Sequence, residues 1–288
     1  MDFIITLING LSLGGVYAMI ALGYTMVYGI AKMLNFAHGD IIMVGGYAIL
    51  VFLSINPILA IVCSIVFCIL LGVSVEKLAY KPLRGASPLA VLITAIGVSY
   101  LLQSIAQIIF GAAPKFVIVA ELGNLQLGKL SISYATIITL VASIVIMVAL
   151  SLFVKFTKVG RAMIAVSEDK DAARLMGVNV NFIIMLTFAI GSALAALAGL
   201  FSLLRVPTIV PTYGALPGIK AFTAAVIGGI GSIPGAMVGG ILLGVVECLC
   251  NSVDFIAPYT IAIEFALLIV ILLVKPTGIL GKKRREKV

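Results

Sequence analysis

The segment Leu34-Asn35-Phe36-Ala37-His38-Gly39-Asp40 holds the only histidine of the chain, two residues from a carboxylate. No charged residue occurs from Phe3 to Ala31 before it, and none from Ile41 to Val75 after it. Ionisable groups set between long apolar runs are costly, so a functional role is the default reading. The alternative is a short polar connector at a membrane surface, supplying turn glycines and helix caps. Asn35, His38, Gly39 and Asp40 are therefore candidates for a solute path. A second interruption lies at Pro207, Pro211, Tyr213-Gly214, Pro217 and Gly218. It adds Tyr213, Gly214 and Pro217 to the candidates, because paired interruptions in two halves mark transport paths in many carriers. No direct sequence repeat accompanies them. A different chemistry, a proton relay through His38, Asp40, Glu247 and Glu264, would suit a carrier working alone. The plain reading of the two glutamates is a polar contact near a helix end.

The elements that must position these residues follow from composition. The chain is 62% hydrophobic and 10% charged, with mean hydropathy +1.28. Soluble domains carry about 25% charged residues. Backbone in lipid must satisfy its own hydrogen bonds, which leaves helices or closed barrels. Apolar runs without period-two alternation select helices. The fold class is thus all-α, a polytopic integral membrane protein, with one transmembrane domain over residues 1–288. Nine apolar segments are expected, near 4–30, 36–55, 57–76, 88–110, 132–154, 181–204, 217–233, 235–252 and 258–274. The second is a candidate re-entrant segment. The seventh and eighth, joined by Gly231-Ser232-Ile233-Pro234-Gly235, form two thin spans or one re-entrant hairpin. The count is eight or nine. Met1-Asp2-Phe3 lacks a basic n-region, so the first segment reads as a helix, not a cleavable signal. Cys63, Cys68, Cys248 and Cys250 sit in apolar runs and read as small packing residues.

Basic residues set the orientation. Lys32, the cluster Lys77, Lys81 and Arg84, the run Lys155 to Arg174, and the tail Lys275 to Lys287 all fall on one side under nine spans. That side holds 15 of the 19 basic residues and marks the cytoplasm. Lys115, Lys129, Arg205 and Lys220 fall elsewhere. The run Lys282-Lys283-Arg284-Arg285 reads as a topology anchor rather than a nucleic-acid patch. An odd count puts the N-terminus outside and the C-terminus in the cytoplasm. Rows of small residues, Gly191/Ala195/Gly199, Gly231/Gly235/Gly239 and Gly240/Gly244, let helices approach closely.

The longest polar stretch on the basic side lies at about 157–180. A short helix is expected from Glu168 to Met176, with Ser167 as N-cap, Glu168, Asp169 and Asp171 in the first turn, and Gly177 at C′. Ala165, Ala172 and Met176 can share a face. Such a helix rests on lipid headgroups or plugs into a soluble partner.

Other chemistries are excluded. Gly123 to Gly128-Lys129 imitates the start of a P-loop, but Leu130 stands where magnesium needs a hydroxyl. Gly229-Ile230-Gly231 is no dinucleotide fingerprint. One histidine without a thiol cluster excludes a typical zinc site. No Ser/His/Asp arrangement is present. The chain reads as a non-enzyme without metal or cofactor of its own.

Several blocks, in order, carry a resemblance: Leu22-Gly23-Tyr24-Thr25-Met26-Val27-Tyr28-Gly29-Ile30, Asn35 to Asp40, Lys81-Pro82-Leu83-Arg84, Gly160-Arg161-Ala162, Ala221 to Val226, Gly228 to Gly235, and Pro276 to Gly281. The chain resembles the inner-membrane permease subunits of branched-chain amino-acid ABC importers, the shorter of the two permeases. Asp40 stands where Glu also occurs in such a block. The resemblance implies a bacterial-type inner-membrane protein with a second permease subunit, two cytoplasmic ATPases that bind ATP and Mg, and an extracytoplasmic solute-binding protein. It implies no nucleic-acid partner. It places ATPase docking at Gly160, Arg161, Ala165, Glu168, Asp169, Ala172, Ala173, Met176 and Gly177, with Ala172, Ala173 and Met176 toward the partner. Relatives carrying urea, short amides or other amino acids leave the solute open. Polar backbone at Asn35–Gly39 and Gly214–Gly218 would meet the charged ends of a zwitterion.

Overall fold

A computed structural model of the chain describes residues 2–120, 122–127 and 130–281. The expected tail Lys282–Arg285, and Gly128 and Lys129 of the false P-loop, lie outside the described residues. The helices run in the order α1 (Asp2–Ala31), α2 (His38–Leu53), α3 (Pro57–Val75), α4 (Pro88–Phe110), α5 (Tyr134–Phe156), α6 (Lys158–Glu168), α7 (Lys170–Leu175), α8 (Val180–Arg205), α9 (Ala215–Gly228), α10 (Ile233–Asn251) and α11 (Thr260–Val274). Each of the nine apolar segments is a helix. Among the described residues, seven helices are long and apolar enough to cross a membrane; α2 and α9 are shorter. With 16 and 14 residues they reach roughly 24 and 21 Å, against a hydrocarbon core of about 30 Å.

The sequence starts these helices with local chemistry. The Asn56 side chain accepts from Ile58 N at 2.8 Å, with Pro57 opening α3. Ser87 and Pro88 open α4 in the same way. Ser133, Thr157, Asn179 and Ser232 cap α5, α6, α8 and α10. Each cap satisfies a backbone donor that the helix cannot. Beyond Val75 the backbone continues through a π turn at Glu76–Tyr80 and a 3₁₀ turn at Lys81–Leu83. Pro82 removes a backbone donor there.

The centre of the molecule is built by α1, α8 and α10. A Cβ on Gly10 would stand 2.9 Å from the Val245 Cα, and one on Gly14 2.7 Å from the Ile241 Cα. Gly240 lies closer still to Ala18, and Gly244 to Gly14. The small-residue rows are thus consumed inside the chain: Gly235 lies on Gly228, Gly239 on Ala224 and Gly199 on the Ile42 carbonyl. Close backbone approach replaces the hydrophobic drive that lipid cannot supply. Two short antiparallel sheets, absent from the sequence-based expectation, close the opposite end from the docking loop. β1 (Lys115–Phe116) pairs with β4 (Thr208–Ile209), Lys115 opposite Ile209. β2 (Asn124–Leu127) pairs with β3 (Leu130–Ser133), Asn124 opposite Ser133. The β1–β4 pair ties the connection before α5 to the connection before α9, while β2 and β3 form a hairpin within the former.

Candidate functional site

The two polar interruptions meet. Lys32 closes α1 with a left-handed backbone, φ 62°, and the chain then turns so that α2 starts at His38 among its neighbours. Gly39 faces the start of α9. A Cβ on Gly39 would stand 2.5 Å from the Gly214 carbonyl oxygen and 3.2 Å from the Gly218 Cα. A Cβ on Gly214 would overlap the Gly39 carbonyl. Two short helices therefore begin against each other, glycine on glycine, and only residues without a side chain permit it.

The side chains around this crossing are turned into the protein. Asn35 is buried, and its Oδ1 accepts from the Tyr80 hydroxyl at 2.8 Å. Asp40 is buried, and its Oδ1 accepts from Gln103 Nε2 at 2.8 Å, which holds α4 to α2. The His38 ring meets Tyr24 edge-on at 4.8 Å. It fills the space left by Gly23 of α1 and lies near Gly191 of α8. Its Nε2 is buried without a hydrogen-bond partner among the described residues. Tyr24 and Phe36 in turn contact Phe222 of α9, at 5.9 and 5.3 Å. Gly214 is buried, while Tyr213 and Pro217 are half-buried. Gly39 and Gly214 are brought together; His38 and Asp40 point away from that contact, toward α1, α8 and α4.

A charged cluster escaped sequence reasoning. Lys220, grouped above with the residues off the basic side, is buried in α9. Its Nζ lies 2.7 Å from Glu247 Oε1 of α10 and 3.2 Å from Glu264 Oε1 of α11. The Tyr17 hydroxyl of α1 donates to Glu247 Oε2 at 2.7 Å. Four helices thus converge on one ammonium. The signal was one lysine and two glutamates standing alone in three apolar segments, which in lipid must find one another. Glu247 lies in the last turns of α10 and Glu264 in the first turns of α11, so they are polar contacts near helix ends, with Lys220 as their shared partner. Among the described residues no hydrogen bond or ion pair joins this cluster to His38 or Asp40.

The docking stretch differs from its expectation. It forms two helices, α6 and α7, broken at Asp169. Asp169 is the cap of α7, accepting from Asp171 N at 2.9 Å and Ala172 N at 3.0 Å. Ser167 sits inside α6 and donates back to the Ile164 carbonyl at 2.7 Å. A carboxylate accepts helix N–H groups more strongly than a hydroxyl, which decides between the two. The end is as expected: Gly177 has φ +83°. Gly177 N donates to Arg174 O and Val178 N to Ala173 O, each at 3.0 Å, closing a Schellman turn. Ala173 is buried against the chain itself, so it does not share the outward face assigned to it. Ala172, Leu175 and Met176 do face outward at helical spacing, and Leu175 and Met176 are 89% and 84% exposed. Arg161, Ala165, Glu168 and Asp169 are exposed, while Gly160 is buried with its Cβ position 2.5 Å from the Phe153 carbonyl oxygen. Lys170 anchors the loop by donating to the Ala31 carbonyl at 2.9 Å, at the end of α1. Partial burial, then the neighbouring Arg84 cation, hold the Lys170 ammonium below its ordinary pKa.

A family profile described as branched-chain amino acid transport system / permease component matches residues 6–272. The chain is 44% identical over 298 residues to the high-affinity branched-chain amino acid transport system permease protein BraD of Pseudomonas aeruginosa, covering 98% of this chain and 97% of that protein. It is 42% identical over 302 residues to the permease protein LivH of Escherichia coli K12, covering 99% and 98%. A probable branched-chain amino acid transport permease of Methanocaldococcus jannaschii is 29% identical over 284 residues, covering 91% and 88%.

Proposed function

The chain belongs to the branched-chain amino acid transport system permease family, and we propose that it carries leucine, isoleucine and valine across the inner membrane. As a member of that family it is the multi-pass permease subunit of an ABC transporter, a transport subunit and not an enzyme, with ATP hydrolysis in separate partner subunits. The observation that carries the solute reading is similarity along nearly the whole chain to permeases named for that transport.

In the mechanism we favour, a solute-binding protein delivers the amino acid at the outer face. ATP and Mg bound by two ATPases close them, α7 transmits the motion, and the membrane helices rock around the solute. A second permease subunit completes the path. The crossing of α2 and α9 supports a path near Asn35, His38, Gly39, Asp40, Tyr213, Gly214 and Pro217. Two helix N-termini there carry partial positive charge, which favours a carboxylate. An apolar side chain on the solute needs little polar coordination beyond its charged ends. The outward face of Ala172, Leu175 and Met176 supports docking to an ATPase groove, with small and flexible side chains allowing close approach. The basic bias supports a cytoplasmic C-terminus.

Uptake of a panel of amino acids and urea by the reconstituted complex, with and without ATP, tests the reading. Uptake of leucine, isoleucine and valine that needs both ATP and the ATPase subunits is the expected result. Preference for urea or polar amino acids would overturn the solute, and undiminished uptake by this chain alone would overturn ATP coupling.

A further inference from the structure

Where α3 ends, the π turn and the start of α8 line an open pocket of about 250 Å³. It is lined by Lys77, Lys81, Arg84, Asn179, Asn181 and Glu76, among others. Three cations face one carboxylate. The carboxylate is already spent, since Glu76 is buried and ion-paired with Arg84. Arg84 also donates through Nη1 to Asn181 Oδ1 at 2.5 Å, while its Nε is buried without a hydrogen-bond partner among the described residues. Lys77 and Lys81 are exposed and make no ion pair among the described residues.

Both asparagines use their carbonyl oxygens within the chain. Asn181 uses its carbonyl oxygen on Arg84, and Asn179 uses its own on Phe182 N at 3.1 Å. Both amide –NH₂ groups are left as donors on the lining, at the N-terminal turn of α8. The site therefore offers ammonium, guanidinium and amide donors in excess of its one carboxylate, the donor set for an anion of phosphate type. Leu78 and Phe182 beside it are 80% and 47% exposed. They belong to helices whose outer faces suit hydrocarbon, so a bound anion could extend an acyl chain along them.

We propose that this pocket binds the phosphate of an anionic phospholipid headgroup. Lys77 and Lys81 attract the phosphodiester, the Asn179 and Asn181 amides orient it, and the glycerol and acyl chains lie over Leu78 and Phe182. Arg84 faces the pocket, and Lys170 of the docking helix feels the Arg84 charge, so lipid occupancy would neutralise charge beside the docking loop. The proposal rests on the chain lying in a membrane and not on which solute it carries.

The test uses the full chain in nanodiscs of phosphatidylcholine with or without phosphatidylglycerol, and native mass spectrometry of the lipid retained after transfer to detergent. Wild type should retain phosphatidylglycerol in preference to phosphatidylcholine. Each basic residue near an anionic headgroup contributes about a factor of five, so K77Q/K81Q should weaken retention about twenty-five-fold. K115Q, which removes an exposed lysine beside β4, should leave it unchanged. Inorganic phosphate at the concentration of the lipid should not displace it, because it lacks the acyl chains. Equal retention by K77Q/K81Q, an equal loss in K115Q, or displacement by inorganic phosphate would each overturn the assignment to a lipid headgroup.

Discussion

Removing the Lys220 ammonium would strand two carboxylates, Glu264 buried and Glu247 mostly buried. Lys220→Met should therefore destabilise the chain by about 3–5 kcal/mol, the usual cost of an uncompensated buried charge. The variant K220M/E247Q/E264Q, with no stranded charge, should recover most of it; thermal unfolding in detergent, read by labelling of the apolar-segment cysteines, measures both. An unchanged midpoint for K220M would show that the carboxylates shed their charge at no cost. Asp40 poses a smaller question. Asp40→Asn keeps an oxygen for Gln103 and should transport nearly normally, whereas Asp40→Ala frees α4 and should lower uptake while assembly persists. Uptake assays beside abundance on blots separate the two, and wild-type uptake in Asp40→Ala would return this residue to a plain connector. The polar breaks were legible in the sequence because charge is scarce around them. The Gly39–Gly214 contact was not, since neither glycine carries any mark of its partner 175 positions away.

At the scale of elements, α7 presents a surface whose parts can be replaced without touching the bundle. Met176→Arg and Ala172→Arg both put a charge on the outward face, clear of Ala173 beneath. Each should release the ATPase or uncouple hydrolysis from uptake, with a loss of at least about tenfold if a buried unpaired charge costs a few kcal/mol. A helix that only rests on anionic lipid would gain from added arginine, so normal co-purification of the ATPase with normal uptake would move the docking surface elsewhere. Helix starts in this chain were readable, since Asn or Ser before Pro announces three of them at Asn56-Pro57, Ser87-Pro88 and Ser232-Ile233-Pro234. The split into α6 and α7 was not, because Ser167 and Asp169 are both good caps and only hydrogen-bond strength ranks them. The paired strands also left no signal: two-residue strands such as β1 and β4 have no periodicity to read.

For the whole molecule, the basic bias gives a topological expectation. Cysteines placed in the connection at residues 117–127 should react with a membrane-impermeant reagent from outside, and one replacing exposed Leu175 should react only after permeabilisation. Labelling of the docking side from outside would invert the map and the placement of the ATPase with it. The pairing of α1 with α10 has a consequence for how such a chain is made. Helix α1 leaves the ribosome well before α10 and carries Gly10 and Gly14, whose grooves are filled by Ile241, Gly244 and Val245, residues synthesised more than two hundred positions later. Until then α1 stands in lipid with its seam open. The short helix α2 packs on α3, α4 and α8, but its first turn, which rests on Gly214, stays open until α9 exists. Insertion must therefore proceed through a loosely held intermediate that persists for most of translation. A chain truncated after residue 228 should be inserted yet cleaved readily by membrane proteases, and one extended through residue 251 should become resistant; pulse-chase of the two lengths would show whether closure comes this late.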